Sequence, residues 1–214
     1  SSDFKEEGSK LVTDYYYVVN DIPDEYLSQE TYDIFDNQTY FNHTVSYNVY
    51  VKRFLKDIAT TLVVKSNDNK VGEYNCEVQK DNQVWKQNLS FKDEGVYNVD
   101  MAAVDELGNE DGESVSFVID KHAPEIKVDQ VNKINNGSVL YKVNLSDVYK
   151  GSKYAVHVIR RDAFGNIAEE YTDSKMWGDN PHEAAYEKMF DAEGDYSITV
   201  SAEDEAGNKS ETAA

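Results

Sequence analysis

Along much of the chain, apolar and polar residues alternate one for one. From position 45, Val45, Tyr47, Val49 and Val51 alternate with Ser46, Asn48, Tyr50 and Lys52. From position 196, Tyr196, Ile198, Val200 and Ala202 alternate with Ser197, Thr199, Ser201 and Glu203. A period of two places one set on each face of a β-strand. One face is then buried and the other solvated, as in antiparallel sheets. The residues involved (Tyr, Val, Ile, Thr) also favour strands. Turn signals punctuate the runs at Glu94-Gly95, Gly108-Asn109, Asn136-Gly137, Gly165-Asn166, Glu193-Gly194 and Gly207-Asn208. Many short strands at this spacing predict an all-β sandwich. Two stretches opened by proline, 23–31 and 181–188, predict single helical turns.

The pattern also repeats on a longer scale. Phe91-Lys92-Asp93-Glu94-Gly95-Val96-Tyr97 aligns with Phe190-Asp191-Ala192-Glu193-Gly194-Asp195-Tyr196 at an offset of 99 residues (190 − 91). The match continues through Asp105 over Asp204 and Gly108-Asn109 over Gly207-Asn208. Val45, Tyr47 and Val49 lie over Val139, Tyr141 and Val143 at an offset of 94 (139 − 45), so loops absorb the difference. Tyr17-Val18-Val19-Asn20 reads as an earlier copy of Phe117-Val118-Ile119-Asp120, and a proline follows each, Pro23 and Pro124. A unit of about 100 residues can bury its own core, so the repeat predicts a string of domains rather than a solenoid. The expected division is 1–23 as the last strand of a preceding repeat, 24–120 as domain 1, and 121–214 as domain 2 with its last strand cut short. Short links between domains imply limited hinging.

These repeated residues carry a family resemblance. Glu94-Gly95-Val96-Tyr97-Asn98-Val99, then Ala103-Val104-Asp105-Glu106-Leu107-Gly108-Asn109, then Phe117-Val118-Ile119-Asp120-Lys121-His122-Ala123-Pro124 resembles the bacterial Ig-like repeats. Those repeats share a G-x-Y, A-x-D-x-x-G-N and F-x-I-D-K-x-x-P pattern. Gly194-Asp195-Tyr196 and Ala202-Glu203-Asp204-Glu205-Ala206-Gly207-Asn208 match it a second time. The resemblance implies two tandem immunoglobulin-like β-sandwiches in a large bacterial surface or secreted protein. Their partners would be neighbouring repeats of the same protein. The implied role is a non-catalytic stalk that presents an adhesive or enzymatic module. The alternatives are a module that binds glycan or a host surface protein, and an accessory to an extracellular hydrolase. Fold alone does not choose among them.

The motif residues have physical roles. Tyr97 and Tyr196 follow Gly95 and Gly194 by two positions, a placement that suits a tyrosine corner; the alternative is a core tyrosine with its hydroxyl at the rim. Gly108 and Gly207 are expected to supply left-handed backbone in a hairpin. Asp105 and Asp204 are expected to accept from turn amides.

Composition narrows the partners. With 41 acidic and 21 basic residues, the net charge is −20. Such a chain repels phosphate backbones and anionic membrane surfaces, so nucleic acid and membrane are not expected partners. The charge does not signal disorder, because 12% of residues are aromatic, whereas disordered acidic chains lack them. Residues 1–10 are polar and show no secretory-leader pattern. One cysteine, Cys76, allows no internal disulfide.

Candidate chemistry is sparse. His43, His122, His157 and His182 are scattered, and no G-x-S-x-G, H-E-x-x-H or glycine-rich phosphate loop occurs. The chain is therefore not expected to be an enzyme or to require a cofactor. Calcium is the candidate ion. Asp105, Glu106, Asn109, Glu110, Asp111 and Asp120 form one group of oxygen donors near the domain boundary, and Asp204, Glu205 and Asn208 a second. The alternative is that the aspartates cap turns and the other carboxylates are solvated. Trp85 and Trp177, with Tyr15, Tyr16, Tyr17 and Tyr50, are candidate stacking faces for glycan; the alternative is core packing. Finally, an unfinished second sandwich leaves a sheet edge open. Segment 11–20 of a neighbouring molecule could fill it, or could pair instead within its own first domain.

Overall fold

The computed structural model describes residues 13–18, 39–53, 59–76, 84–104, 110–133 and 137–213. The chain divides into two compact units, Ser1–Ile119 and Asp120–Ala214. All regular structure among the described residues is β-strand.

Unit 1 contains β1 (Thr13–Val18), β2 (Tyr40–Phe41), β3 (Val45–Arg53), β4 (Ala59–Ser66), β5 (Asn69–Cys76), β6 (Val84–Phe91), β7 (Gly95–Val104) and β8 (Glu110–Ile119). One sheet has the order β1-β3-β6 and the other β2-β8-β7-β4-β5. The alternation read from the sequence sets which side chains meet. Val45 and Val49 of β3 and Leu89 and Phe91 of β6 share a core with Leu62 and Val64 of β4, Tyr97, Val99 and Met101 of β7, and Phe117 and Ile119 of β8. Asn48 is a buried polar residue on β3, and its Oδ1 accepts from Nδ2 of Asn88, its cross-strand partner on β6, at 2.9 Å. That bond keeps the buried amide from being left unsatisfied.

Unit 2 contains β9 (Glu125–Lys133), β10 (Val139–Ser146), β11 (Gly151–Arg161), β12 (Ile167–Met176), β13 (Glu183–Phe190), β14 (Asp195–Asp204) and β15 (Lys209–Ala213). Its sheets run β13-β10-β9 and β12-β11-β14-β15. The core joins Tyr141, Val143 and Leu145 of β10 and Tyr186 and Phe190 of β13 to Tyr154, Val156 and Val158 of β11 and Ile198, Val200 and Ala202 of β14. Strand for strand, β9 to β15 repeat the places of β1 and β3 to β8. The repeated segments are therefore equivalent strands: Val45 and Val139 open β3 and β10, and Gly95 and Gly194 stand at the start of β7 and β14.

Two sequence expectations change. Segment 181–188 is not helical, because Glu183–Phe190 is a strand paired with β10 along its length. Its proline lies outside the strand, and Ala184, Tyr186 and Lys188 alternate inward, so period two overrides the helix-start signal. The other proposed turn, 23–31, lies outside the described residues. The largest change concerns the N-terminal segment, expected to be the closing strand of a preceding repeat. Thr13–Val18 pairs antiparallel with β3, from Thr13 opposite Arg53 to Val18 opposite Asn48. It thus takes in unit 1 the place that β9 takes in unit 2, paired here within its own chain. A first and a last strand carry the same apolar alternation, and nothing local names the partner.

A further feature has no glycine signal at all. Asn67 and Asp68 both have positive φ, 47° and 64°, in the two-residue turn between β4 and β5. This is the backbone that a type I′ hairpin needs, and Asn and Asp tolerate it. Asn67 N donates to the carbonyl of Val96 at 2.8 Å, and Val96 N donates to Asn67 Oδ1 at 3.0 Å. The hairpin is thereby tied to the start of β7.

Candidate functional site

The richest polar constellation lies in unit 2, around the turn between β14 and β15. Asp204 N donates to the carbonyl of Asn208 at 3.1 Å, and Gly207 N to the carbonyl of Asp204 at 3.2 Å. Gly207 has φ of 88°, in the left-handed region where glycine is unstrained. Asn208 N then donates to Asp204 Oδ1 and its Nδ2 to Asp204 Oδ2, both at 2.8 Å. The same Nδ2 reaches the carbonyls of Asp120 at 2.9 Å and His122 at 3.2 Å. Asn208 therefore clamps the first residues of unit 2 onto its last hairpin.

An identical turn stands between β11 and β12, at Asp162-Ala163-Phe164-Gly165-Asn166. Asp162 N donates to the Asn166 carbonyl at 2.9 Å, and Gly165 N to the Asp162 carbonyl at 2.9 Å. Asn166 N and Nδ2 donate to Asp162 Oδ1 and Oδ2 at 3.0 Å and 3.2 Å. These bonds, led by the one from the Asn166 side chain, hold the Asp162 carboxyl below the usual carboxylate range. The D-x-x-G-N string is thus a self-sufficient turn. Its bonds at Asp204 need no further ligand to explain them.

What distinguishes the Asp204 copy is its company. Carboxylate oxygens of Asp120, Asp147 and Asp204 all lie within 4.8 Å of one another. Asp120 and Asp204 are 1% and 2% exposed. Asp120 Oδ1 accepts from His122 N at 3.0 Å, and Asp147 Oδ1 accepts from Tyr149 N at 2.9 Å. The Asp147 carboxyl is pushed up, first by burial and then by the charge of Asp204, against the lowering effect of backbone donors at Tyr149 and Lys150. Convergent carboxylates of this kind are the donor set a hard cation takes. Of the expected donors, the fold unites Asp120, Asp204 and Asn208. It adds Asp147, which the sequence reading passed over, and Glu205 is drawn to Lys150 instead, 3.7 Å away. Asp105, Glu106, Gly108 and Asn109 lie outside the described residues, while Glu110 and Asp111 fall within β8.

Trp177 is not available as a stacking face. Trp177, expected on an open loop, is 5% exposed and belongs to the unit 2 core, edge-on to Tyr154 at 6.4 Å between ring centroids. The indole lies over Gly151: a Cβ there would be 2.0 Å from its ring. Trp177 N donates to the Ser152 carbonyl at 2.9 Å, which pins the segment to β11. The loop-like composition of Met176-Trp177-Gly178-Asp179-Asn180 concealed this, because the receiving glycine is distant in sequence. Trp85 lies in β6, and its side chain, like those of Tyr15, Tyr16, Tyr17 and Tyr50, is outside the description.

One open groove of about 570 Å³ crosses unit 2 beside Lys153, Ala155, Met176, Ser201, Glu203 and Lys209. Glu203 there meets Lys153 at 3.3 Å and Lys209 at 3.5 Å. Two histidines are likewise engaged in unit 2: His157 with Thr172 and Glu170, and His182 with the Asp147 carbonyl.

Comparison with known proteins places this architecture. The model of the bacterial Ig-like domain (group 3) matches residues 81–214. The chain belongs to this family. No curated protein matches it. Among solved structures, a tetra-tandem repeat from the extending region of a large adhesion protein is similar at 17% identity and a TM-score of 0.43. The match covers 94% of this chain and 48% of that one. The fibronectin(III)-like modules of Clostridium thermocellum CbhA are similar at 15% identity and a TM-score of 0.31, covering 85% of this chain and 89% of that one.

The Ig-like pattern residues then have visible work. Tyr97 Oη donates to the Asp93 carbonyl at 2.9 Å, and Tyr196 Oη to the Ala192 carbonyl at 3.0 Å. Each is the backward bond of a tyrosine corner. Gly95 and Gly194 have φ of 157° and 146°, and a Cβ on Gly194 would lie 2.5 Å from the Arg161 carbonyl. The glycine is thus required by close backbone approach as well as by its dihedral.

Proposed function

We propose that this chain is a non-catalytic spacer: two tandem Ig-like sandwiches within a bacterial cell-surface or secreted protein, holding another module at a distance. The observation that carries this reading is the duplication itself. Apart from the short β2 of unit 1, each unit has the same strand order, and each has its own core and its own tyrosine corner. A chain built this way can be lengthened by adding units without altering any one of them. Family membership over 81–214 supports the bacterial extracellular setting. Partners in this reading are neighbouring repeats of the same protein, with neither nucleic acid nor membrane engaged.

The rival is a binding module. Its best sequence evidence was Trp177, whose burial in the core removes it as a stacking face. A glycan array and a polysaccharide-hydrolysis panel separate the readings. The spacer is expected to give neither a saturable hit nor turnover. Binding that saturates, or product above the no-protein control, would overturn it.

A further inference from the structure

The two units differ in how one flank of the sandwich is filled. Their strands pair in equivalent register: Val64 is opposite Gly72 and Val99, and Val158 is opposite Tyr171 and Ile198. Gly72 of β5 therefore holds the position of Tyr171 of β12, and Tyr74 that of Asp173. On the facing sheet, Leu89 opposite Tyr47 matches Lys188 opposite Tyr141. In unit 2 the partly buried Tyr171 packs against the core, with the Lys188 ammonium 4.2 Å from its ring centroid. Tyr186 Oη and Lys188 Nζ both donate to Asp173 Oδ2, at 2.8 Å and 3.5 Å. A ring carried by β12 thus fills that flank of unit 2, and these polar bonds join β12 to β13 across it.

Unit 1 has a glycine where that ring is rooted. A cleft of about 400 Å³ opens there, lined by residues of β5 and β6, which are edge strands of the two sheets. Its floor is apolar, because Val64, Leu89, Phe91 and Tyr97 are buried core residues. Tyr74 forms a wall and leans across the glycine, with its Cε2 3.2 Å from where a Cβ would stand. Gly72 lacks the positive φ that disfavours a side chain, so its backbone does not require glycine. Ser66 adds a hydroxyl to the lining, and Lys92 and Asp93 are its exposed charged members. Apolar floor and polar rim together suit an amphipathic ring with an apolar body and a polar tip.

We propose that this cleft of unit 1 is a binding site for a tyrosine side chain presented by an extended, basic segment of a partner protein. The ring takes the place that Tyr171 fills in unit 2, against Leu89 and Tyr74 over the bare backbone of Gly72. Charge selects the flanks: a chain of net charge −20 attracts basic segments and repels acidic ones. Recognition of this kind rests on one aromatic anchor in a pocket, with weaker contacts around it. The inference goes beyond the spacer reading and does not depend on it.

The probe is the peptide Lys-Gly-Tyr-Gly-Lys, titrated into the full chain while backbone amide shifts are followed by NMR. Saturable shifts at Gly72, Tyr74 and Leu89 are the expected result. Lys-Gly-Ser-Gly-Lys is expected to bind at least about tenfold more weakly, because the ring supplies most of the buried apolar area. Glu-Gly-Tyr-Gly-Glu is expected to bind more weakly than the lysine form at low salt. Gly72→Tyr fills the cleft from within, as Tyr171 does in unit 2, and is expected to abolish binding. The peptide comparisons use the parent chain, so they decide the matter even if that variant does not fold. Absence of saturable shifts at these residues, equal affinity for the tyrosine and serine peptides, equal affinity for the lysine and glutamate forms, or undiminished binding to a folded Gly72→Tyr would each overturn the proposal.

Discussion

Gly151 and Trp177 fit one another so closely that a methyl group on the glycine would lie 2.0 Å from Cδ2 of the indole. Twenty-six positions separate them (177 − 151), yet the bare backbone of β11 forms the bed on which the ring rests. Gly151→Ala must therefore displace the indole or bend β11. Overpacking of this severity costs about 2 kcal/mol or more. Chemical denaturation followed by tryptophan emission is expected to show an earlier unfolding midpoint for unit 2, with a red-shifted native spectrum. A variant with parent-like midpoint and emission would show that the slot is slack.

Among the three converging aspartates, Asp147 gives a pH dependence with a definite sign. The folded-state value of Asp147 is raised, chiefly by burial and then by Asp204. Stability from this group is thus fully present below the unfolded value, about 3.9, and is lost as pH rises through the folded value. Asp147→Asn removes that loss and still offers an oxygen to Tyr149 N. The variant is expected to melt above the parent at neutral pH, with the gap closing below about pH 4. Thermal melts of both proteins across pH check this. A calcium-dependent rise in the parent that is absent from the variant would instead assign the three carboxylates to a bound hard cation.

The exposed D-x-x-G-N turn makes a simpler titration. Bonds from Asn166 favour the charged form of Asp162 and lower its value. Carboxyl carbon shifts followed by NMR are expected to place Asp162 below the ordinary aspartate range, and Asn166→Ala to return it toward that range. An unchanged titration in the variant would mean that the Asn166 side chain contributes nothing to the turn.

How much of this was legible in the sequence depends on how local the cause is. Period-two alternation and the repeated Gly-x-Tyr segment identify strands, their equivalence and the tyrosine corners, because each rests on residues a few positions apart. The turn at Asp162 was legible in principle, since Asp162-Ala163-Phe164-Gly165-Asn166 carries the same string as Asp204 to Asn208; it lacks the preceding Gly-x-Tyr that drew attention to the other copy. The Asn67-Asp68 hairpin has no glycine to announce it. Partner choice was not legible. The alternation of Tyr15 and Tyr17 suits a first strand and a last strand equally, and only pairing with β3 decides between them. Trp177 and Asp147 failed for the same reason: Gly151, Asp120 and Asp204 are distant in sequence, and nothing near either residue records them.

The autonomy of the two units is the claim on which the spacer role rests, and stretching the full chain between its ends tests it most directly. Two separate unfolding events are expected, each releasing a length on the order of 300 Å. Tyr97→Phe and Tyr196→Phe, which each remove one backward hydrogen bond worth about 1 kcal/mol, are expected to weaken one event apiece and leave the other unchanged. A single cooperative rupture, or a substitution in one unit that shifts both events, would contradict the claim.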